Sequence, residues 1–124
     1  LLLSAARQAA ERAYCPFSRF RVGAALWAEG RIFLGCNVEN RSYGLSMCAE
    51  RTAIFHAVSE GVRKLDAIAV CCLDAPSDSP PEFRSPCGAC RQVIAEFASP
   101  DLPILVDGAG LYLLRDLLPV PFTL

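Results

Sequence analysis

Apolar residues recur along this chain in different rhythms, and each rhythm predicts a different element. Between Cys48 and Glu60, the apolar residues Ala49, Ala53, Ile54, Ala57 and Val58 fall at i, i+4, i+5, i+8 and i+9, and Gly61 follows as a stop. That spacing predicts a helix with one buried face. Ala89, Val93, Ile94 and Phe97 repeat it, with Ser85-Pro86 in front as N-cap and N1 proline and Pro100 as the end. An Ala-rich stretch from Ser4 to Ala13, capped by Ser4 and ended by Tyr14-Cys15-Pro16, predicts a further helix. Ala67 to Leu73 is instead an unbroken apolar run without alternation, as expected of a central strand covered on both faces.

Phe20–Trp27 and Arg31–Cys36 are β-prone and separated by Ala28-Glu29-Gly30, which reads as a hairpin. Ile104-Leu105-Val106 and Leu111-Tyr112-Leu113-Leu114, joined through Asp107-Gly108-Ala109-Gly110, predict two more short strands. Polar stretches separate these elements: a loop from Asn37 to Met47, a surface loop rich in Pro, Ser and Asp from Asp74 to Pro86, and a tail with Pro119 and Pro121 around Phe122. Helices and strands interleave, so the expected class is α/β, a three-layer α/β/α arrangement around a mixed sheet of about five strands. There is no repeat of solenoid type.

With 124 residues the expectation is a single domain over 1–124, and 53% hydrophobic with 20% charged residues excludes a disordered chain. A net charge of -1 leaves no basic footprint for a polyanion, so nucleic acid is not an expected partner. No apolar run approaches the roughly 18–20 residues that span a bilayer, and Leu1-Leu2-Leu3 is too short for a signal-peptide core. The expected setting is cytoplasmic, with no membrane partner. In a reducing compartment, the odd number of cysteines, 7, is better explained by metal ligation or burial than by disulfides.

Cys87-Gly88-Ala89-Cys90 places two thiols on one side of the first turn of a helix, where the helix dipole favours the thiolate. Alone, a Cys-x-x-Cys serves either zinc or redox chemistry. Cys48 also stands at a helix start, which makes three soft ligands at two helix N-termini; three protein ligands with an open fourth position is the pattern of catalytic zinc. Glu50, two residues past Cys48, can move protons beside such a metal if the ion sits end-on to the helix. Arg51 adjoins the site and is expected to donate to a ligand sulfur, offsetting the excess negative charge of three thiolates.

Cys48-Ala49-Glu50 followed by Pro86-Cys87-Gly88-Ala89-Cys90 resembles the signature of the zinc deaminases. With cysteine as the first ligand, the chain is similar to the small homotetrameric cytidine deaminases from Tyr14 through Phe122. The resemblance implies one Zn²⁺ per subunit and hydrolytic deamination of cytidine and deoxycytidine as part of pyrimidine salvage. It implies that Phe20 packs on the pyrimidine, that Asn37 and Glu39 bind the ribose hydroxyl, and that the Ala49 backbone and Glu50 read the base edge. It also implies that Tyr43 and Phe122 reach a neighbouring subunit's pocket in a homotetramer. Phe17, where the family commonly has tyrosine, and Ser42-Tyr43-Gly44-Leu45-Ser46, without the proline that often follows the tyrosine, depart from the pattern at the pocket edge.

Other readings compete with each of these. The cysteines could form a closed structural site with Cys71 or Cys72, and Glu50 could be a solvated first-turn acid. Phe20 and Phe122 could be packing residues, and Asn37 and Glu39 loop formers. His56, more than two turns past Cys48, is not expected to ligate, and Cys15, Cys36, Cys71 and Cys72 are expected as buried hydrophobes. Rival functions are deamination of a cytosine-containing aminoacyl nucleoside, polynucleotide editing, which the charge disfavours, and a noncatalytic zinc-binding module.

Overall fold

The hairpin predicted around Glu29-Gly30 is the simplest element to account for. Both residues have positive φ, 53° and 73°, and together they join the paired Ala28 and Arg31. Two consecutive left-handed residues suit the right-handed twist of the strands they connect. The chain is described here from a computed structural model covering residues 1–124. Its elements are α1 (Leu2–Ala10), β1 (Val22–Ala28), β2 (Arg31–Cys36), α2 (Ala49–Ser59), β3 (Ala67–Cys72), α3 (Gly88–Phe97), β4 (Pro103–Val106), β5 (Gly110–Leu113) and α4 (Leu114–Leu117), with short 3-10 turns at Tyr43–Leu45 and Pro81–Phe83.

The sheet has five strands in the order β2-β1-β3-β4-β5. All pairs are antiparallel except β3 with β4, which run parallel on either side of the α3 crossover. β3 is central, and its side chains alternate between two cores, which is why its sequence shows no polar phase. Ile68 and Val70 enter the larger core with Leu26, Phe33, Ile54, Ile94 and Ile104, beneath α2 and α3. Ala69 and Cys71 face the other way and meet Ala6 and Ala25 under α1. The expected mixed sheet between helix layers is therefore present.

Two glycines set how closely the layers approach. A Cβ on Gly23 would lie 2.0 Å from the Ala6 carbonyl oxygen of α1, and one on Gly35 would lie 2.3 Å from the Ala53 nitrogen of α2. The second contact holds the start of α2 against β2, and Thr52 reinforces it by donating to the Cys36 carbonyl at 2.7 Å.

Several boundaries differ from the pattern. Ser4 lies inside α1 instead of capping it, and α1 ends at Ala10; from Glu11 to Ala13 the amides bond three residues back, as Arg12 does to Ala9 at 3.0 Å, before Tyr14 pairs with Asn37. β1 starts at Val22, not Phe20, because the Asn37 side chain takes the Val22 amide and the Phe20 carbonyl, at 2.9 and 2.8 Å. Ser85 and Pro86 precede α3, whose N-cap is Cys87; Arg91 donates to the Pro86 carbonyl at 2.7 Å and the Ser85 hydroxyl at 3.1 Å and holds both outside the helix. Leu114 begins α4 rather than ending β5, since Asp116 accepts from the Leu113 amide at 2.9 Å and turns the chain. Of the cysteines expected as buried hydrophobes, Cys71 and Cys72 are buried, whereas Cys15 and Cys36 are only half-buried.

Candidate metal centre and pocket

Cys48 is the N-cap of α2 and Cys87 the N-cap of α3, with Cys90 in the first turn of α3. The two helices start side by side at the end of the sheet where β3 stops, beyond the carboxyl end of a parallel strand, a usual place for ligands in open α/β sheets. The three Sγ atoms lie within 4.8 Å of one another, with Cys48 to Cys87 at 3.8 Å and Cys87 to Cys90 at 3.5 Å. Two sulfurs on one tetrahedral zinc with bonds near 2.3 Å are separated by ~3.8 Å. No disulfide links any of them. A soft, tetrahedral-sized donor set at two helix N-termini fits Zn²⁺, and neither Cys71 nor Cys72 joins it.

The site's charge is arranged around Cys48. Its thiol is held down at about 5, because the Cys90 thiol, the Arg51 guanidinium and the Cys87 thiol all donate toward it. Arg51 donates to Cys48 Sγ through a terminal nitrogen at 3.3 Å, as the sequence anticipates, while its buried Nε has no partner. Helix N-termini add to the pull on both capping sulfurs.

Glu50 is 4% exposed, one of two buried charged side chains in the chain. Burial pushes its carboxyl up to about 7, with the negative charge of Cys48 acting in the same direction and its own amide and Arg51 opposing. A carboxyl poised there can both accept and return a proton near neutrality. The solvated reading of Glu50 does not survive its burial.

A cavity of about 270 Å³ opens over these groups, and Phe20, Asn37, Glu39, Cys48, Ala49, Glu50 and Cys87 all line it. The structure thus gathers Cys48 and Cys87 with the residues predicted for proton transfer, base and ribose into one pocket, with Cys90 buried next to the other two sulfurs. Ala49 is the first residue of α2, so its amide has no acceptor within the helix. Glu39 accepts from the amides of Phe17 and Ser18 at 3.0 and 3.1 Å and from the Ser18 hydroxyl. These donors, the hydroxyl foremost, keep its carboxyl below the usual carboxylate range. Asn37 braces the Phe20–Val22 backbone with one N–H and one lone pair, leaving the other of each.

Tyr43 and Phe122 stand apart from this cavity. Tyr43 is 76% exposed and lines an adjoining depression with Phe17, Ser18, Glu39 and Ser46. Phe122 is 72% exposed on the tail, whose backbone is held by the Gln92 amide at 3.1 and 3.3 Å. His56 is far from the sulfurs' chemistry, its ring edge-on to Phe33.

Sequence reasoning missed part of the cavity lining. Cys72, Phe83, Arg84 and Ser85 also line the cavity. The one available signal was Phe83, the only aromatic residue in the polar loop from Asp74 to Pro86.

The description "Cytidine and deoxycytidylate deaminase zinc-binding region" belongs to the sequence family whose profile matches residues 1–106. A cytidine deaminase of Sporosarcina psychrophila is 53% identical over 104 residues, 83% of this chain and 72% of that one. One from Halalkalibacterium halodurans is 51% identical over 105 residues, covering 84% and 75%. The crystal structure of cytidine deaminase from Burkholderia pseudomallei superposes with a TM-score of 0.86 at 46% identity, covering 98% of this chain and 96% of that one. That from Mycobacterium tuberculosis gives 0.83 at 41%, covering 99% and 95%.

Proposed function

Since this chain belongs to the family of zinc-binding cytidine and deoxycytidylate deaminases, we propose that its pocket hydrolyses cytidine and deoxycytidine to uridine and deoxyuridine with release of ammonia, serving pyrimidine salvage. The observation that carries this is the single cavity in which Glu50 lies buried beside three convergent thiols while Asn37 and Glu39 form another wall. Cys48, Cys87 and Cys90 are the residues that hold Zn²⁺. Bound there, the metal supplies Lewis acidity that lowers the pKa of water toward ~7.

Glu50 takes the proton that water gives up as its oxygen bonds to C4 of the pyrimidine, and passes it to N3. It then carries a second proton from the added oxygen to the departing amine, so that the C–N bond breaks and ammonia leaves. The free Ala49 amide and Glu50 orient the base edge, and Phe20 packs on the ring. Ionised Glu39 and the spare donor and acceptor of Asn37 suit a sugar hydroxyl. Arg51, donating to Cys48, draws charge from the thiolate; Arg51→Ala is expected to slow kcat about tenfold with zinc retained.

The cavity offers no free cation for a phosphate, because the Arg84 guanidinium is turned onto carbonyl and hydroxyl oxygens of the chain itself. This favours a free nucleoside over a nucleotide. No helix is long and apolar enough to cross a membrane. Residues 1–124 act in this reading as one catalytic domain of a cytoplasmic homotetramer, with Tyr43 and Phe122 completing a neighbour's pocket; their exposure outside their own cavity supports that role. The test is a spectrophotometric assay against cytidine, deoxycytidine, cytosine and deoxycytidylate, with zinc measured on the same sample. Turnover of the two nucleosides alone is expected, and a zinc-loaded protein inert toward both would overturn the reading.

A further inference from the structure

Arg84 is the second of the two buried charged residues, at 8% exposure, and none of the chain's ion pairs includes it. A guanidinium taken out of water without a carboxylate is costly unless its N–H groups are met by other acceptors. Here they are met by three acceptors on two separate pieces of the chain: the Pro76 carbonyl at 2.5 Å and the Ser79 hydroxyl at 3.0 Å in the loop after β3, and the Asp107 carbonyl at 3.3 Å after β4. Space for it comes from Gly108, at φ +79°, where a Cβ would lie 2.7 Å from the guanidinium. The arrangement pins the loop between β3 and α3 to the β4–β5 turn.

What the pinned loop presents is Phe83. It is 53% exposed, an unusual position for a phenylalanine that a fixed loop could have buried, and its ring meets Phe20 edge-on, with centroids 5.6 Å apart and planes at 79°. Both rings line the cavity. Ser85 and Cys87, which follow Phe83 in sequence, also line it, so this wall belongs to the reactive end. Asn37, Glu39 and Ser46 are part of the same lining.

We infer that Phe83 is a substrate-binding residue, forming with Phe20 an aromatic corner that holds the pyrimidine ring, and that Arg84 is the positioning residue that fixes this corner over the metal centre. The inference rests on the deaminase reading and names a further determinant of its base specificity. Phe83 contributes ring-edge contact to a flat heterocycle, which strengthens substrate binding without adding to proton transfer.

The experiment measures KM and kcat for cytidine, with zinc content, for wild type, Phe83→Ala, Phe83→Tyr, Arg84→Met and the double variant. Phe83→Ala is expected to raise KM about 3- to 10-fold, the range an aromatic contact carries, with kcat within about twofold and zinc unchanged. Phe83→Tyr keeps KM near wild type. Arg84→Met raises KM similarly, and adds little once Phe83 is alanine, because its effect passes through that ring. A wild-type KM in Phe83→Ala overturns the role of Phe83, and an undiminished Arg84→Met effect in the double variant overturns the role of Arg84. Should Arg84→Met not fold, Arg84→Lys, which keeps the charge but cannot span three acceptors, takes its place. Wild-type protein that fails to deaminate cytidine counts against the deaminase reading itself, whereas active wild type with an indifferent Phe83 counts against this inference alone.

Discussion

Cys48, Cys87, Cys90 and Glu50 stand at the starts of two helices whose bodies are packed in the core, while Tyr43, Phe83 and Phe122 stand on loops and the tail and are 76%, 53% and 72% exposed. The inner region makes its contacts within one chain: the sulfurs converge, Arg51 donates to Cys48, and Gly35 lets α2 lie close on β2. The outer region leaves large apolar side chains unpaid by burial in the same chain. Groups that must converge within tenths of an ångström sit on rigid elements packed in the core, whereas these exposed aromatic side chains sit on loops and the tail, where position is less tightly fixed.

Substitutions should separate the two regions sharply. Cys87→Ala is expected to lose the metal and reduce turnover to the uncatalysed background, checked by metal analysis together with the assay. Glu50→Gln should keep zinc and still lower kcat by about 10²–10⁴-fold; retained turnover in zinc-loaded protein would remove Glu50 from the proton path. In the outer region, Phe122→Ala should leave zinc unchanged and raise KM only about 3- to 10-fold. As a residue that completes a neighbour's pocket, it should on substitution also weaken the assembly, read by sedimentation across a dilution series.

The smallest effect is expected away from both regions, at the Arg21–Asp74 pair that ties β1 to the loop after β3 at 2.7 Å. Donation from the Arg21 side chain, then from its amide, holds the Asp74 carboxyl down at about 2. Arg21 stays charged throughout, so the pair's stabilisation is present above the unfolded carboxylate value of ~3.9 and is lost as pH falls toward 2. Both side chains are partly exposed, so the contribution is small. Asp74→Asn should flatten the acid limb of a thermal-melt series between those pH values and leave activity at neutral pH unaltered.

The local sequence carried the inner region. The periodicity of Ala49, Ala53, Ile54 and Ala57, the stop at Gly61, and the thiols of Cys48, Cys87 and Cys90 at two helix starts are short-range facts, and short-range geometry is what a helix obeys. The unbroken apolar run of Ala67 to Leu73 likewise announced a central strand, found over Ala67–Cys72, since burial on both faces admits no polar phase. Tertiary structure decided what depends on residues distant in sequence. Asn37 displaced the start of β1 from Phe20 to Val22, Arg91 moved the cap of α3 from Ser85 to Cys87, and Arg84, bridging Pro76, Ser79 and Asp107, turned a polar loop into a wall of the pocket. Asn37 reaches 15 and 17 residues back, Arg84 reaches 23 residues on to the Asp107 carbonyl, and Arg91, which holds Pro86 and Ser85 close by, is itself held by the Leu117 carbonyl 26 residues on; no local rhythm records such distant partners before the chain has folded.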